Sequence, residues 1–272
     1  MDATGEIQDL LPFTAHRIEL QDGVWTTTKG GDDPFTAPTT RVVLERCAGS
    51  LHGRRVLDLG CLEGGYSAAF SKLGAREVVG VEVRELNYRR CQLLKRCLQL
   101  TNVRFIREDV RNLDEDALGS FDVVFAQGIL YHLDDPLSFL SGVSRLTSGF
   151  ALIDTHIARR DSWAHGCSPV LTKRSFGSGV YEGRYFDEYP PSSSREEIEK
   201  LLWASHGNPA SFWLTEESLV AMLSEVGFKY VSKVYVPRGY RCQEGCREEC
   251  RIVLVAKKGW EWWQAHPTDC IE

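Results

Sequence analysis

The stretch Arg55-Val-Leu-Asp-Leu-Gly-Cys-Leu-Glu-Gly-Gly-Tyr-Ser67 constrains this chain more than any other. An apolar run from Val56 to Leu59 carries one acid, Asp58, and ends on Gly60. A glycine pair, Gly64-Gly65, follows, and Ser67 to Leu73 then reads as a helix stopped by Gly74. Strand, glycine-rich turn and helix in this order bring backbone N–H groups and a helix N-terminus to the carboxyl end of a strand, where nucleotide-type ligands bind.

Downstream the pattern repeats. Glu77–Glu82, Val103–Arg107, Phe121–Ala126 and Phe150–Asp154 read as strands. Helices are expected from about Glu85 to Leu100 and from Pro136 to Leu146, with Asp135 as N-cap and Pro136 at the first helical position. Strands separated by helices imply a doubly wound, mostly parallel α/β sheet. Thr215 caps Glu216–Val226, and Tyr230–Val236 and Arg251–Ala256 close the fold as two strands with no helix between them, hence antiparallel. The expected architecture is a Rossmann-like sheet of seven strands with an antiparallel last strand.

Two segments stand outside this alternation. Residues 1–50 form a leader or lid, with a hairpin at Ile18–Trp25 signalled by Asp22-Gly23 and a helix at Arg41–Ala48 capped by Thr39 or Thr40. Residues 51–272 form the main domain. Within it, residues 157–214 are too long and too aromatic for a bare loop and are expected to be an insertion serving as a substrate cap. One helix is legible there, from Arg195 to Ala204, opened by a Ser194/Glu197 capping box.

Composition removes several classes of function. The net charge of −6 over 272 residues gives no basic nucleic-acid footprint. No apolar run approaches the ~18 residues of a membrane span, and the N-terminus has neither the basic start nor the apolar core of a signal peptide. A soluble cytoplasmic protein with reduced thiols follows as the expectation, with Cys61, Cys91 and Cys97 inside regular elements.

Gly60, with Glu82 about twenty residues on, has the spacing of a glycine turn and a ribose-binding acid. NAD fits poorly, because the glycines do not read G-x-G-x-x-G and because acids follow the third strand at Glu108-Asp109-Val110. Four stretches in order, Val56–Gly65, Val81-Glu82, Glu108–Val110 and Phe121–Pro136, resemble the motifs of the class I S-adenosylmethionine-dependent methyltransferases. The resemblance implies S-adenosyl-L-methionine as cofactor. It places Asp58, Gly60, Cys61, Leu62 and Gly64 at the methionine end, Glu82 and Val83 at the ribose, and Asp109 and Val110 at adenine. Gln127, Gly128 and Tyr131 fall on the sulfonium side. Leu62 departs from the pattern, since the family often has glycine there. Gly128–Leu137 and Ile18–Trp25 resemble, more narrowly, the tRNA wobble-uridine carboxymethyltransferases and their small-molecule relatives, in which the tyrosine at the place of Tyr131 helps to hold a carboxylated cofactor.

These readings imply methyl transfer to a small-molecule acceptor, at oxygen. Carboxymethyl transfer to tRNA and a non-catalytic binding module on the same fold remain as alternatives. A hydroxyl acceptor needs a base, and His132 and His156 are the candidates, each following a core strand at its carboxyl end. His16 and Arg17 could reach in from the leader. Cys242, Cys246 and Cys250 suggest a zinc or redox site, but structural zinc wants four ligands, and unligated thiols or a local disulfide are the simpler reading. The sequence fixes neither the acceptor nor the oligomeric state, for which the Trp-rich tail at Trp260–Trp263 is a candidate contact surface.

Overall fold

A computed structural model of the chain describes residues 8–20, 23–28, 30–163, 165–234 and 250–259. Helix α1 covers Pro38–Arg46 and begins three residues before the expected start at Arg41, with Ala37 as N-cap and Pro38 in the first turn. Proline suits that place because its missing N–H would have had no intrahelical partner. Then follow β1 (Arg55–Leu59), α2 (Gly65–Lys72), β2 (Glu77–Glu82), α3 (Glu85–Cys97) and β3 (Val103–Arg107). After α4 (Glu115–Leu118) come β4 (Phe121–Gln127), a 3-10 turn at Leu130–His132, α5 (Pro136–Leu146) and β5 (Thr147–His156).

The expected insertion contains a sheet of its own. Strands β6 (Thr172–Phe176), β7 (Gly179–Asp187) and β8 (Ala210–Leu214) pair antiparallel in that order. The helix α6 between β7 and β8 is shorter than expected, Arg195–Lys200, but opens on the Ser194/Glu197 capping box. Helix α7 (Glu216–Glu225), capped by Thr215, leads to β9 (Tyr230–Val234) and β10 (Arg251–Lys257).

The main sheet has seven strands in the order β3-β2-β1-β4-β5-β10-β9. Strands β1, β2 and β3 run parallel, with Asp58 beside Gly80 and Gly80 beside Phe105, whereas β10 is antiparallel to both β5 and β9. Near-continuous burial along β1, β2 and β10 marks strands covered on both faces. In the leader, Leu20 N–H donates to the Val24 carbonyl at 2.8 Å and Thr26 N–H to that of Ile18 at 2.9 Å, so the hairpin pairing is present; Asp22 lies outside the described residues.

The chain divides into two compact units. Among the described residues, the first holds residues 8–113 and 121–123, and the second holds residues 114–120 and 124–259. The leader belongs to the first unit and the three-stranded sheet to the second.

Candidate functional site

In the first unit, the turn between β1 and α2 is built from left-handed residues: φ is +68° at Gly60, +52° at Leu62 and +79° at Gly64. Such backbone costs a residue with a Cβ about 1–2 kcal/mol. Leu62 adopts it nonetheless and stays half-buried. The conformation directs its amide to the Glu82 carboxylate, which also accepts from Arg84 N–H at 2.8 Å. Cys61 N–H donates to the Val81 carbonyl at 2.9 Å, so the turn is fastened to the end of β2. Below it the Cys61 and Cys91 sulfurs lie 3.9 Å apart, both buried.

Two buried acids line this turn. Asp58 accepts from the Ser67 hydroxyl at 2.6 Å, yet burial pushes its carboxyl up to about 7. Burial likewise pushes Glu82 up to about 7, against the pull of the Arg84 amide and charge. Val83 and Val110 are half-buried. Asp109 is held by Arg111, whose Nε and guanidinium NH2 donate to its two oxygens at 2.9 and 2.6 Å. Oδ1 also accepts from the Arg111 N–H at 2.9 Å.

Sequence reasoning missed Glu63. Its carboxylate is fully buried, pairs with Arg90 at 2.8 Å, and accepts from the amides of Thr14, Ala15 and His16. The leader is thereby held on the glycine turn. A Cβ on Gly65 would stand 2.5 Å from the His16 ring, which explains a glycine where φ is not positive. His16 itself is buried, edge-on to Tyr66, and desolvation lowers its pKa. Arg17 does not join it; its guanidinium lies 4.0 Å from the centre of the Trp25 ring.

The second unit brings together Gln127, Gly128, Tyr131, His132 and His156. Gly128, at φ +76°, donates its N–H to the Asp154 carbonyl at 2.9 Å. The Tyr131 hydroxyl and the Arg251 guanidinium stand 3.6 and 3.9 Å from where a Cβ on Gly128 would be. Arg251 is bound in turn to both oxygens of the buried Asp154, at 2.6 and 3.1 Å. The Tyr131 ring centre lies 4.3 Å from that of His132 and 4.5 Å from that of His156. His156 stacks on Trp213 at 4.8 Å, and burial, Arg251 and His132 lower its pKa to about 3. His132 Nδ1 is 3.1 Å from each oxygen of Glu188, a carboxylate the sequence reading did not single out.

Among the described residues no group of three or more His, Cys, Asp or Glu could hold a metal, and no helix is long and apolar enough to cross a membrane. Cys242, Cys246 and the Trp-rich tail lie outside the described residues, while Cys250 is buried.

Residues 51–168 match the family model described as a methyltransferase domain. A tRNA U34 carboxymethyltransferase from Pseudoalteromonas translucida is 33% identical over 132 residues, covering 48% of this chain and 36% of that protein. A ubiquinone biosynthesis O-methyltransferase from Acinetobacter baylyi is 27% identical over 103 residues, covering 38% and 43%. The chain thus spans well under half the length of these curated relatives. The solved N-terminal domain of EvdMO1, in the presence of SAH and D-fucose, matches 94% of this chain and 97% of that one, with 26% identity and a TM-score of 0.70. The segment that resembles a methyltransferase domain holds the glycine turn after β1 and strands β1 to β5.

Proposed function

We propose that the chain transfers a methyl group from S-adenosylmethionine to a hydroxyl of a small acceptor of the deoxysugar kind. Glu82 carries the reading. A buried carboxylate held near 7 at the edge of a left-handed turn gains from hydroxyl donors, and a ribose diol offers two. The remaining acids fit the same cofactor, which presents hydroxyls, an amino group and an adenine rather than phosphates. The EvdMO1 domain, similar over nearly its whole length and solved in the presence of D-fucose, supports the acceptor class. The buried Cys61 and Cys91 sulfurs, 3.9 Å apart and not bonded to each other, support a reducing, cytoplasmic setting.

In this reading Asp58, Gly60, Cys61, Leu62 and Gly64 hold the methionine end. Glu82 and Val83 bind the ribose, and Asp109 and Val110 hold adenine. Gln127, Gly128 and Tyr131 serve the sulfonium side, and the insertion at 157–214 covers the acceptor. The bound cofactor supplies a methyl group on a positively charged sulfur. The protein orients the acceptor oxygen, excludes water and removes the acceptor proton. His132 is the base. His156, neutral and lowered to about 3, is too weak for that step and acts as an aromatic wall.

A second reading is carboxymethyl transfer to tRNA. Tyr131 and Arg251 beside Gly128 favour it, since a hydroxyl and a cation there could hold an extra carboxylate. Against it, Asp154 already balances the charge of Arg251. One experiment separates the two: labelled-methyl transfer from S-adenosylmethionine to D-fucose and other free deoxysugars, with bulk tRNA in parallel. Mass spectrometry of the copurifying cofactor accompanies it. Label in a sugar and a plain cofactor are expected. A carboxylated cofactor with label-free sugars overturns the proposal.

A further inference from the structure

We propose that Glu188 is the positioning residue for His132, holding the imidazole with Nδ1–H towards its carboxylate so that Nε2 is left to take a proton. The role of the proton rests on the O-methyl transfer reading; the geometry does not.

The Leu130–His132 turn is pinned by consecutive carbonyls. Trp213 Nε1 donates to the Tyr131 carbonyl at 2.8 Å, Asn208 Nδ2 to that of His132 at 3.1 Å, and Phe212 N–H to that of Leu133 at 3.0 Å. All three donors come from residues 208–213, on β8 and its approach. The same approach holds the acid. Ser205 N–H donates to Glu188 Oε2 at 2.9 Å, and the Ser205 hydroxyl bonds Asn208 Oδ1 at 2.7 Å. One short segment thus fixes the backbone of His132 and the carboxylate facing its ring.

The Glu188 side chain is 1% exposed. Burying a carboxylate is costly unless it is paired, and a neutral side chain would pack as well without that cost. What the carboxylate adds is an acceptor for an imidazole N–H. Such a partner fixes the tautomer and raises the basicity of the far nitrogen. Tyr131, at 4.3 Å between ring centres, and His156 also bear on His132, while the charge of Arg251 acts on His156. Glu188 is the carboxylate within hydrogen-bonding distance of the ring among the described residues.

The test is two-bond 1H–15N correlation NMR of the imidazoles in the uniformly 15N-labelled full chain, with His132→Gln assigning the signal. The wild type is expected to hold His132 as the Nδ1–H tautomer, and Glu188→Gln is expected to lose that preference. With D-fucose as acceptor, kcat should carry the loss and KM should stay within about twofold. The rate should fall by about 10–100-fold, with recovery in Glu188→Asp. An Nε2–H tautomer in the wild type, which needs no variant to fold, overturns the proposal, as does an unchanged tautomer in a folded Glu188→Gln. Calorimetry with S-adenosylhomocysteine on the same samples separates the two ideas: loss of binding in the wild type sinks the methyltransferase reading and leaves the tautomer result standing.

Discussion

Glu82, like Asp58, sits close to half-ionised at neutral pH, and that makes it one of the two residues through which the cofactor site should feel pH. Its carboxyl is raised from an ordinary 4.5 to about 7 by burial. Ribose hydroxyls would donate to the ionised form, so binding must drive off a proton below that value. S-adenosylhomocysteine affinity should therefore tighten between about pH 6 and about pH 8, by up to ~10-fold per unit at the acidic end. Glu82→Gln should flatten that dependence and weaken binding by ~10–100-fold, the worth of a hydrogen bond to a charged group. Titration calorimetry across the range checks both. Folding responds with the opposite sign. A carboxyl raised in the native state contributes stability that is full below its unfolded value and is lost as pH rises through about 7. The ligand-free wild type should match Glu82→Gln near pH ~4 and fall behind it by about 3 kcal/mol near pH ~8 in urea denaturation. Leu62 shows at the same scale what the sequence could and could not say. The family pattern asks for glycine there because the backbone is left-handed, and the leucine meets the demand by adopting φ +52°. Only the coordinates show what the strain secures: an amide aimed at Glu82.

Elements were legible where their signals are local. The Asp135 cap with Pro136 behind it, the Ser194/Glu197 capping box and the Thr215 cap all stand where the sequence puts them, because each involves residues three apart. The three-stranded sheet was not. Strand β6 is a polar run, Thr172–Phe176, half-buried at Thr172 and Arg174 and buried only at Phe176, so its identity depends on its partner β7. The Gly177-Ser178 turn between two short runs was the signal that could have revealed it. The fastening of the leader was equally hidden. Glu63 and Arg90 are 27 residues apart in the chain, and Arg90 also donates to the carbonyls of Leu10 and Pro12 and the hydroxyl of Thr14. Removing one partner of a buried pair leaves the other charge unpaired, at a cost of about 3–5 kcal/mol. Arg90→Ala should lose stability of that size in urea, with limited proteolysis cutting first between residues 10 and 16. A loss under ~1 kcal/mol would mean the leader is held by something other than this pair.

At the scale of the whole molecule, legibility followed the order of the chain. The residues proposed for the cofactor fall in contiguous stretches, the turn after β1, the end of β2 and the end of β3, each fixed by its own strand. The acceptor side was half readable: His132 lies in a motif, but Glu188 is 56 residues further on, beyond a sheet the sequence did not announce. The acceptor itself must be judged on the charge of the entire chain. A tRNA-binding enzyme neutralises many phosphates, and its affinity falls steeply with salt, by ~10³–10⁵ between about 50 and 200 mM for 6–10 contacts on duplex. This chain carries a net charge of −6, and its second unit spends Arg145, Arg174, Arg184 and Arg251 on internal carboxylates, carbonyls and rings. Methyl transfer to a sugar hydroxyl should therefore change less than ~3-fold over that salt range, and bulk tRNA should give no shift in a native gel at about 0.15 M. Retention of tRNA with a steep log–log salt slope would return the acceptor to nucleic acid, and with it the corner formed by Gly128, Tyr131 and Arg251 to a carboxylated cofactor.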